Sequence, residues 1–506
     1  MSGSVKRQVR QPSLSPSKPM EPVSMAQALA FHVDRDPGRP AITCGTKTLT
    51  RVELDRNSNR RARGLQALGV VPGDFVAITL PNGLEFFETS YAIWKLGATP
   101  APLSPRLPLI ELQALVDLLQ PRIIVGAGGA MVEGHRQTPA GDDWWISLSA
   151  AALPDIVAPS LKAMTSGGST GRPKVIVDAA PGAIDPLAPF AGVEIEDTVL
   201  IPGPLYHASP FGVAHMALSW GGHVVQMERF DAVEALRLME AHKVRYVNFV
   251  PTMMHRIWRA REQGAAFDDS SLEMVMHVAA VCPLWLKQKW IEWLGPERVW
   301  EFYGGTEGFG ATSITGREWL EHPGSVGRVA LGGEMKIFAD DGRECEPGEV
   351  GCIYFTSARG LNASYRYVGT ESQALGEWET YGDLGHVDAD GYLYISDRRT
   401  DMIVCGGANI YPAEVESALD AHPGVLSSII VGLPDPDLGQ RLHAIIQPDP
   451  AWSGIVDDEA VLAFLSERIV RYKIPRSFEF VDTPLRDDAG KARRSALRDA
   501  RVEPVG

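Results

Sequence analysis

Thr165-Ser-Gly-Gly-Ser-Thr-Gly-Arg-Pro-Lys174 holds three glycines, four hydroxyl side chains and two cations within ten residues. Glycine reaches positive φ without steric cost, so such a run can turn successive backbone N–H groups toward one point and form an anion-binding concavity. The hydroxyls add donors, and Arg172 and Lys174 add charge. The composition suits a polyphosphate. It is not the Walker pattern, because Arg172-Pro173 separates Gly171 from Lys174 where that loop needs Gly and Lys adjacent. Taken alone, the stretch reads equally well as a flexible glycine-rich turn, so the rest of the chain has to decide.

Around it, from about Met25 to Ile395, short apolar runs alternate with amphipathic segments in the manner of βα units. Asp74–Leu80 reads as a buried strand and Leu84–Gly97 as the helix after it. Val224–Val225, Tyr246–Val250 and Arg298–Tyr303 are further strand candidates, with a helix at Asp231–Ala241. Together they imply a large parallel or mixed sheet covered by helices. The pattern changes near residue 400. Strand Gly391–Ile395 and the charged connection Asp397–Asp401 lead into a unit of roughly a hundred residues. There the periodicity predicts a helix over Pro412–Asp420, strands near Ser427–Val431 and Leu442–Ile446, a helix over Asp457–Tyr472 and a strand near Phe478–Val481.

Bulk properties exclude several classes. The chain has 506 residues, enough for at least two domains. Lys plus Arg number 48 against 63 Asp plus Glu, a net charge of −15 that argues against bulk attraction to nucleic acid or anionic membrane. Five scattered cysteines without a CxxC suggest a reducing, cytoplasmic setting and neither a disulfide frame nor a metal site. Residues 1–22 are basic, rich in Ser and Pro and lack an apolar run, which reads as a disordered tail. No stretch approaches eighteen consecutive apolar residues, so no membrane span is expected.

Four more motifs carry chemistry. Tyr303-Gly-Gly-Thr-Glu-Gly308 follows a predicted strand, at the carboxyl edge where open α/β sheets bind ligands. Its carboxylate suits Mg²⁺ shared with phosphate oxygens, or else the segment is a tight turn with a surface Glu. Tyr381-Gly-Asp-Leu-Gly385 offers Asp383 to the vicinal hydroxyls of a ribose, or as a turn cap. Arg398 reads as a phosphate or ribose ligand or as a surface ion pair. Gly406-Gly407 would let backbone approach a narrow ligand chain, and Lys491 follows the flexible Asp487-Asp-Ala-Gly490 turn.

Phosphate loop, YGGTE, YGD, charged hinge with arginine, GG and GK, in that order, resemble the acyl-adenylate-forming superfamily of acyl-CoA synthetases, adenylation domains and luciferases. The resemblance extends from Leu49-Thr-Arg-Val-Glu-Leu54 through Leu96-Gly-Ala-Thr-Pro-Ala-Pro102 to Gly490-Lys491. It implies an α/β fold: a large N-terminal AMP- and acyl-binding domain of stacked mixed sheets with helices over 23–398, and a small mobile α+β domain over 399–506. It also implies ATP (or acyl-AMP), Mg²⁺ and coenzyme A as cofactors. Thr165, Ser166, Gly167, Gly168, Ser169, Thr170, Gly171 and Lys174 would grip the β- and γ-phosphates. Thr306 and Glu307 would face the α-phosphate and Mg²⁺, Asp383 and Arg398 the ribose, and Ala279, Tyr303, Gly304 and Gly305 the rest of the nucleotide. Lys491 would bridge carboxylate and phosphate in the first step. Gly406 and Gly407 would meet the pantetheine arm after the small domain rotates about Thr400.

His207, in Pro204-Leu-Tyr-His-Ala-Ser-Pro-Phe211, matches the position where an aromatic or His lines the acyl pocket, to orient the carboxylate or gate the thiol; the other reading is a buried structural histidine. Wording such as GGSTGRPK and VPTMMHRIWR resembles the branch that handles bile-acid and other polycyclic acids. The expected pocket is Tyr206, His207, Phe211, Met254, Trp258 and Phe309, with Trp220, Met253 and Trp285 as further candidates. The chain departs from the family at His277-Val-Ala-Ala280, where glycines are usual; Val278 and Ala279 are expected to crowd the nucleotide and weaken adenylation. The implied function is an acid–CoA ligase for a bulky hydrophobic carboxylic acid. Its alternatives are a thioesterifying enzyme fed with acyl-AMP made elsewhere and an adenylation enzyme loading an acyl carrier protein.

Overall fold

The computed structural model describes residues 20–126, 132–138, 143–166, 174–330, 332–357, 360–361, 363–372, 374–398, 401–406, 408–487 and 490–502. Gly167, Gly168, Ser169, Thr170 and Gly171 of the glycine-rich run, Thr400, Gly407 and nearly all of the tail lie outside them.

Helix α1 (Leu84–Lys95) runs through the interior, buried at every residue from Phe86 to Lys95. Helix α2 (Leu109–Leu119) lies nearer the surface. Strands β1 (Ala163–Ser166) and β2 (Lys174–Asp178) form an antiparallel hairpin that pairs Thr165 with Val175 and Ser166 with Lys174, so the ends of the glycine-rich run are side by side. Helix α3 (Ala208–Ser219) follows. Next come β3 (Tyr246–Phe249), α4 (Pro251–Glu262), β4 (Met274–His277), α5 (Leu284–Leu294) and β5 (Val299–Gly304). The three strands are parallel neighbours within a nine-stranded sheet. Parallel pairing brings their carboxyl ends to one edge, and Val250, Val278 and Gly305 leave the sheet there together.

Side-chain alternation sorts the two faces. Tyr246, Met276, Val278 and α3 belong to one core, while Val247, Phe249, Val275 and the inner faces of α4 and α5 belong to another. Strand β6 (Tyr365–Val368) pairs with β2, setting Tyr367 opposite Ile176. Strands β7 (Asp383–Val387) and β8 (Leu393–Arg398) pair antiparallel and set Asp383 opposite Arg398.

The C-terminal unit has its own cores. It contains α6 (Pro412–Asp420) and the long hairpin β9 (Val425–Asp435) and β10 (Gly439–Pro448), against which Ser477–Phe480 pairs in parallel. The helix expected over Asp457–Tyr472 is shorter, Asp458–Ser466. The N–H groups of Arg468 and Ile469 both turn back to Leu465 O, and a separate single turn covers Arg471–Lys473. Among the described residues no helix is long and apolar enough to cross a membrane.

Candidate active site

At the mouth of the β1–β2 hairpin, Lys174 Nζ lies 3.3 Å from Glu307 Oε1 and 4.5 Å from the centre of the Tyr367 ring. The Tyr367 hydroxyl donates to the same Glu307 oxygen at 2.6 Å. Burial, with the Glu307 charge beside it, pushes the Tyr367 phenol far above its ordinary range, so it stays a donor. Sequence reasoning missed Tyr367: the alternation Tyr365-Arg-Tyr367 announces a strand but not a partner 60 residues away. Both recorded donors use Oε1 of Glu307. One largely buried carboxylate next to a threonine hydroxyl fits Mg²⁺, which takes one or two carboxylates and completes its shell with phosphate oxygens and water.

The YGGTE connection is shaped by close packing. Gly304 ends β5 opposite Ala311, so residues 305–310 turn back tightly. A Cβ at Gly305 would lie 2.2 Å from Tyr381 Cε1, and only glycine lets that backbone pass. Tyr381 is pinned in turn: its hydroxyl donates to Gly310 O at 2.7 Å, and its ring stacks on Phe309 with centroids 4.1 Å apart. At the same end of β5, Tyr303 donates to Asp383 Oδ2 at 2.7 Å, while Arg398 Nε lies 3.4 Å from Asp383 Oδ1. Three motifs from distant parts of the chain thus meet on one carboxylate.

Lys491 arrives from the C-terminal unit. Asp487 builds its loop by accepting the Lys491 N–H at its side chain and the Gly490 N–H at its backbone oxygen, both at 2.9 Å, with Gly490 at φ +75°. By surface area the residue is exposed. Enough protein still surrounds its ammonium that desolvation, and then the Arg398 charge, lower its pKa, opposed by Asp487 and Glu307. Burial and then the nearby Lys491 charge hold His207 at about 3, so it is neutral at physiological pH. Its Nε2 is buried and has no hydrogen-bond partner among the described residues. His207, Arg398 and Glu307 therefore each lie within electrostatic range of Lys491. Gly406 does not join them: its N–H bonds Leu438 O at 2.9 Å inside the C-terminal unit.

Several pocket expectations need correction. Phe211 is fully buried against Phe86, Trp94 and His215, on the far side of α3. Met254 sits in the core beneath α4, as does Met253, and Trp220 is sealed in the other core. Trp258 packs on Trp293 and gives its indole N–H to Glu262 at 2.9 Å, on the outer face of α4. Phe309 supports Tyr381. What remains open is a different stripe. Ala208, Gly212 and Met216, one helical turn apart along α3, are only half-buried, and so are Met274, Trp300 and Phe302 on the sheet face toward them. A Cβ at Gly212 would touch only Met216 Cε, at 3.9 Å. Ser209 and Asn248 add one polar pair, Oγ to Oδ1 3.3 Å. Val278 is also corrected, since its side chain is packed into the core; only Ala279 is exposed, with a left-handed backbone at φ +74°.

Residues 29–365 match the family model described as AMP-binding enzyme, and residues 414–491 match the AMP-binding enzyme C-terminal domain. A feruloyl-CoA synthase of Amycolatopsis sp. is 32% identical over 488 residues, covering 91% of this chain and 96% of the relative. A fatty acid–[acyl-carrier-protein] ligase of Streptomyces coeruleorubidus is 29% identical over 503 residues, with coverages of 94% and 96%. The solved o-succinylbenzoate CoA synthetase of Bacillus subtilis, in complex with its acyl-adenylate intermediate, matches at TM-score 0.80 and 27% identity over 94% of this chain and 99% of its own. The same enzyme has been solved with ATP and a magnesium ion. With likeness running the length of both units, the chain belongs to the AMP-binding enzymes: it is an AMP-forming acyl-CoA synthetase, a ligase that makes a carbon–sulfur bond and uses ATP, Mg²⁺ and coenzyme A.

Proposed function

We propose that the protein activates a bulky hydrophobic carboxylic acid, aromatic or polycyclic, as its acyl-AMP and passes the acyl group to coenzyme A. The observation that carries the substrate class is the half-buried stripe of Ala208, Gly212 and Met216 facing Met274, Trp300 and Phe302. It is apolar, wide enough to leave Gly212 uncrowded, and begins at His207. Flat or fused rings suit such a slot, and the Ser209–Asn248 pair favours an acid with one hydrogen-bonding substituent.

In the first half-reaction a carboxylate oxygen attacks the α-phosphorus of ATP and pyrophosphate leaves; in the second, the thiol displaces AMP. Little covalent chemistry falls to the protein, so positioning and charge neutralisation carry catalysis. Lys174 and the 165–171 run hold the outer phosphates. Asp383 and Arg398 hold the ribose, and Lys491 bridges the carboxylate and α-phosphate. Neutral His207 orients the acid through Nε2, which has no hydrogen-bond partner among the described residues. Held by Glu307 beside Thr306, Mg²⁺ would supply positive charge to the phosphate oxygens. For the thiol step we assign Gly406 and Gly407 to the pantetheine arm and Thr400 to the hinge, with domains at 23–398 and 399–506. A cytoplasmic location fits the five unpaired cysteines.

The test is CoA-thioester formation across a panel of aromatic, polycyclic and straight-chain acids, with Lys491→Ala alongside. Preference for ring-bearing acids, and loss of acyl-AMP formation in the variant with thioester formation from supplied acyl-AMP retained, are expected. Preference for straight-chain acids overturns the substrate class, and unchanged ligase activity in the variant overturns the lysine assignment. A second reading, loading of an acyl carrier protein, draws on the carrier-protein ligase relative; a holo-carrier preferred over CoA as acceptor would establish it.

A further inference from the structure

Among the described residues, three contacts around the Lys491 loop join the C-terminal unit to the N-terminal body, besides the bond from Ala413 N to Asp397 Oδ2 at 2.9 Å where the units connect. On α4, Arg259 gives an Nη2 hydrogen to the backbone oxygen of Pro423, in the turn between α6 and β9. Its Nε lies 4.0 Å from Asp449 Oδ2, just beyond β10, and donates to His255 Nε2 at 3.2 Å. Asp449 N donates to Gly424 O at 2.8 Å, so the two segments that Arg259 reaches are joined as one ledge. At the second point Arg493, two residues beyond Lys491, makes paired bonds of 2.8 and 3.1 Å to the carboxylate of Glu111, in the first turn of α2. At the third, Gly490 sits on the start of α4, where a Cβ would lie 3.1 Å from Thr252 Oγ1 and 3.5 Å from Val250 Cγ2. Thr252 and Arg259 are seven residues apart, two helical turns, so one face of α4 meets the C-terminal unit twice.

We propose that Arg259 and Glu111 are positioning residues for acyl-AMP formation. They clamp the C-terminal unit on either side of the Lys491 loop in the arrangement that presents this lysine to His207, Arg398 and Glu307. A single contact would leave the unit free to pivot about it. Two contacts on different elements, α4 and α2, with the glycine seat between them, fix rotation as well as distance. The chemistry of each suits a reversible clamp. A guanidinium bonded to a backbone carbonyl is directional, and a paired Arg–carboxylate is geometrically specific while remaining accessible to water. Neither Arg259 nor Glu111 belongs to the cluster around Lys491.

The inference rests on Lys491 acting in acyl-AMP formation, and the test separates the two claims. Arg259→Gln, Glu111→Gln, Lys491→Ala and the exchanged pair Glu111→Arg with Arg493→Glu are compared with the unaltered enzyme. Acid-dependent ATP–pyrophosphate exchange is measured, and so is thioester formation from supplied acyl-AMP. The probe is ferulate with feruloyl-AMP, or whichever acid of the panel the unaltered enzyme turns over fastest. Arg259→Gln is expected to lower exchange about tenfold, the scale of a hydrogen bond from a charged donor, and Glu111→Gln about two- to fivefold. Thioester formation should stay within about twofold, and the exchanged pair should recover most of the exchange lost in Glu111→Gln. Equal losses in both half-reactions would mean a merely structural role and overturn the proposal, as would exchange unchanged in both clamp variants. If Lys491→Ala loses exchange while the clamp variants keep it, only the clamp falls. If Lys491→Ala keeps exchange, the lysine assignment falls first.

Discussion

Gly305→Ala tests the packing behind the YGGTE connection with a single methyl group. Its Cβ would stand 2.2 and 2.5 Å from Tyr381 Cε1 and Cδ1 and 2.8 Å from Glu307 Oε2, against about 3.5–4.0 Å at van der Waals contact. The ring has no easy retreat, being stacked on Phe309 at 4.1 Å and bonded through its hydroxyl to Gly310 O at 2.7 Å. The backbone must give instead, and overpacking of this kind costs about 1–3 kcal/mol. The displaced segment carries Thr306 and Glu307, and a shift of about 1 Å in a positioned catalytic group costs on the order of a hundredfold in rate. Adenylation should therefore fall about ten- to a hundredfold, with a lower unfolding midpoint. Gly304→Ala is the control, because its Cβ meets nothing closer than Phe302 Cε1 at 3.2 Å. ATP–pyrophosphate exchange and thermal unfolding on both variants decide the matter. If Gly305→Ala matches Gly304→Ala within about twofold in rate, and in midpoint, steric exclusion by Tyr381 is refuted.

Tyr367→Phe removes the 2.6 Å donor to Glu307 and leaves that largely buried carboxylate only Lys174 among its described hydrogen-bond donors. A hydrogen bond to a charged group is worth about 1.5–3 kcal/mol, so exchange should fall about tenfold or more and the Mg²⁺ titration should shift; an unaltered Mg²⁺ dependence would remove Tyr367 from the site. The lowered pKa of Lys491 sets a pH limit. In the proposed bridging role its protonated form is the active one, so adenylation should persist below the folded pKa and be lost as pH rises through it, at a pH below the ordinary 10.5. A kcat/KM profile for adenylation flat past pH 10.5 would contradict this. Gly212→Leu adds a side chain whose Cβ would meet only Met216 Cε, at 3.9 Å, and should cut turnover of ring-bearing acids at least tenfold while leaving acid-independent ATP binding intact. Equal losses for large and small acids would place the slot elsewhere.

Much of the site was legible because strand and glycine signals are local. A β-rich run ending in Tyr303-Gly-Gly places a ligand edge, and Asp383 and Arg398 emerge as candidates from their own short motifs. That they share one carboxylate–guanidinium contact with Tyr303 was not legible, since sheet pairing between β7 and β8 and the approach of β5 create it. The acyl wall failed for a related reason. Composition says that α3 and α4 are rich in Met and aromatics, but which of those side chains line a slot depends on which helical face meets the sheet. Phe211 lies one residue before Gly212 and is thereby turned toward Phe86 and Trp94 of α1, away from the slot. Arg259 was invisible because a surface arginine on a helix looks the same whether it faces water or a second domain.

Closure sets Lys491 within range of the Arg398 charge, and both desolvation and Arg398 disfavour its protonated form. Asp487 and Glu307 offset part of that cost, and a triphosphate entering between the two cations would offset more of it. Thermodynamic reciprocity then fixes a symmetry: whatever factor ATP contributes to the closed population, closure returns to the affinity for ATP. In the proposed two-step reaction, departure of pyrophosphate would remove most of that negative charge and favour opening. The charge balance of the first reaction would in this way be coupled to when the domains part for the second.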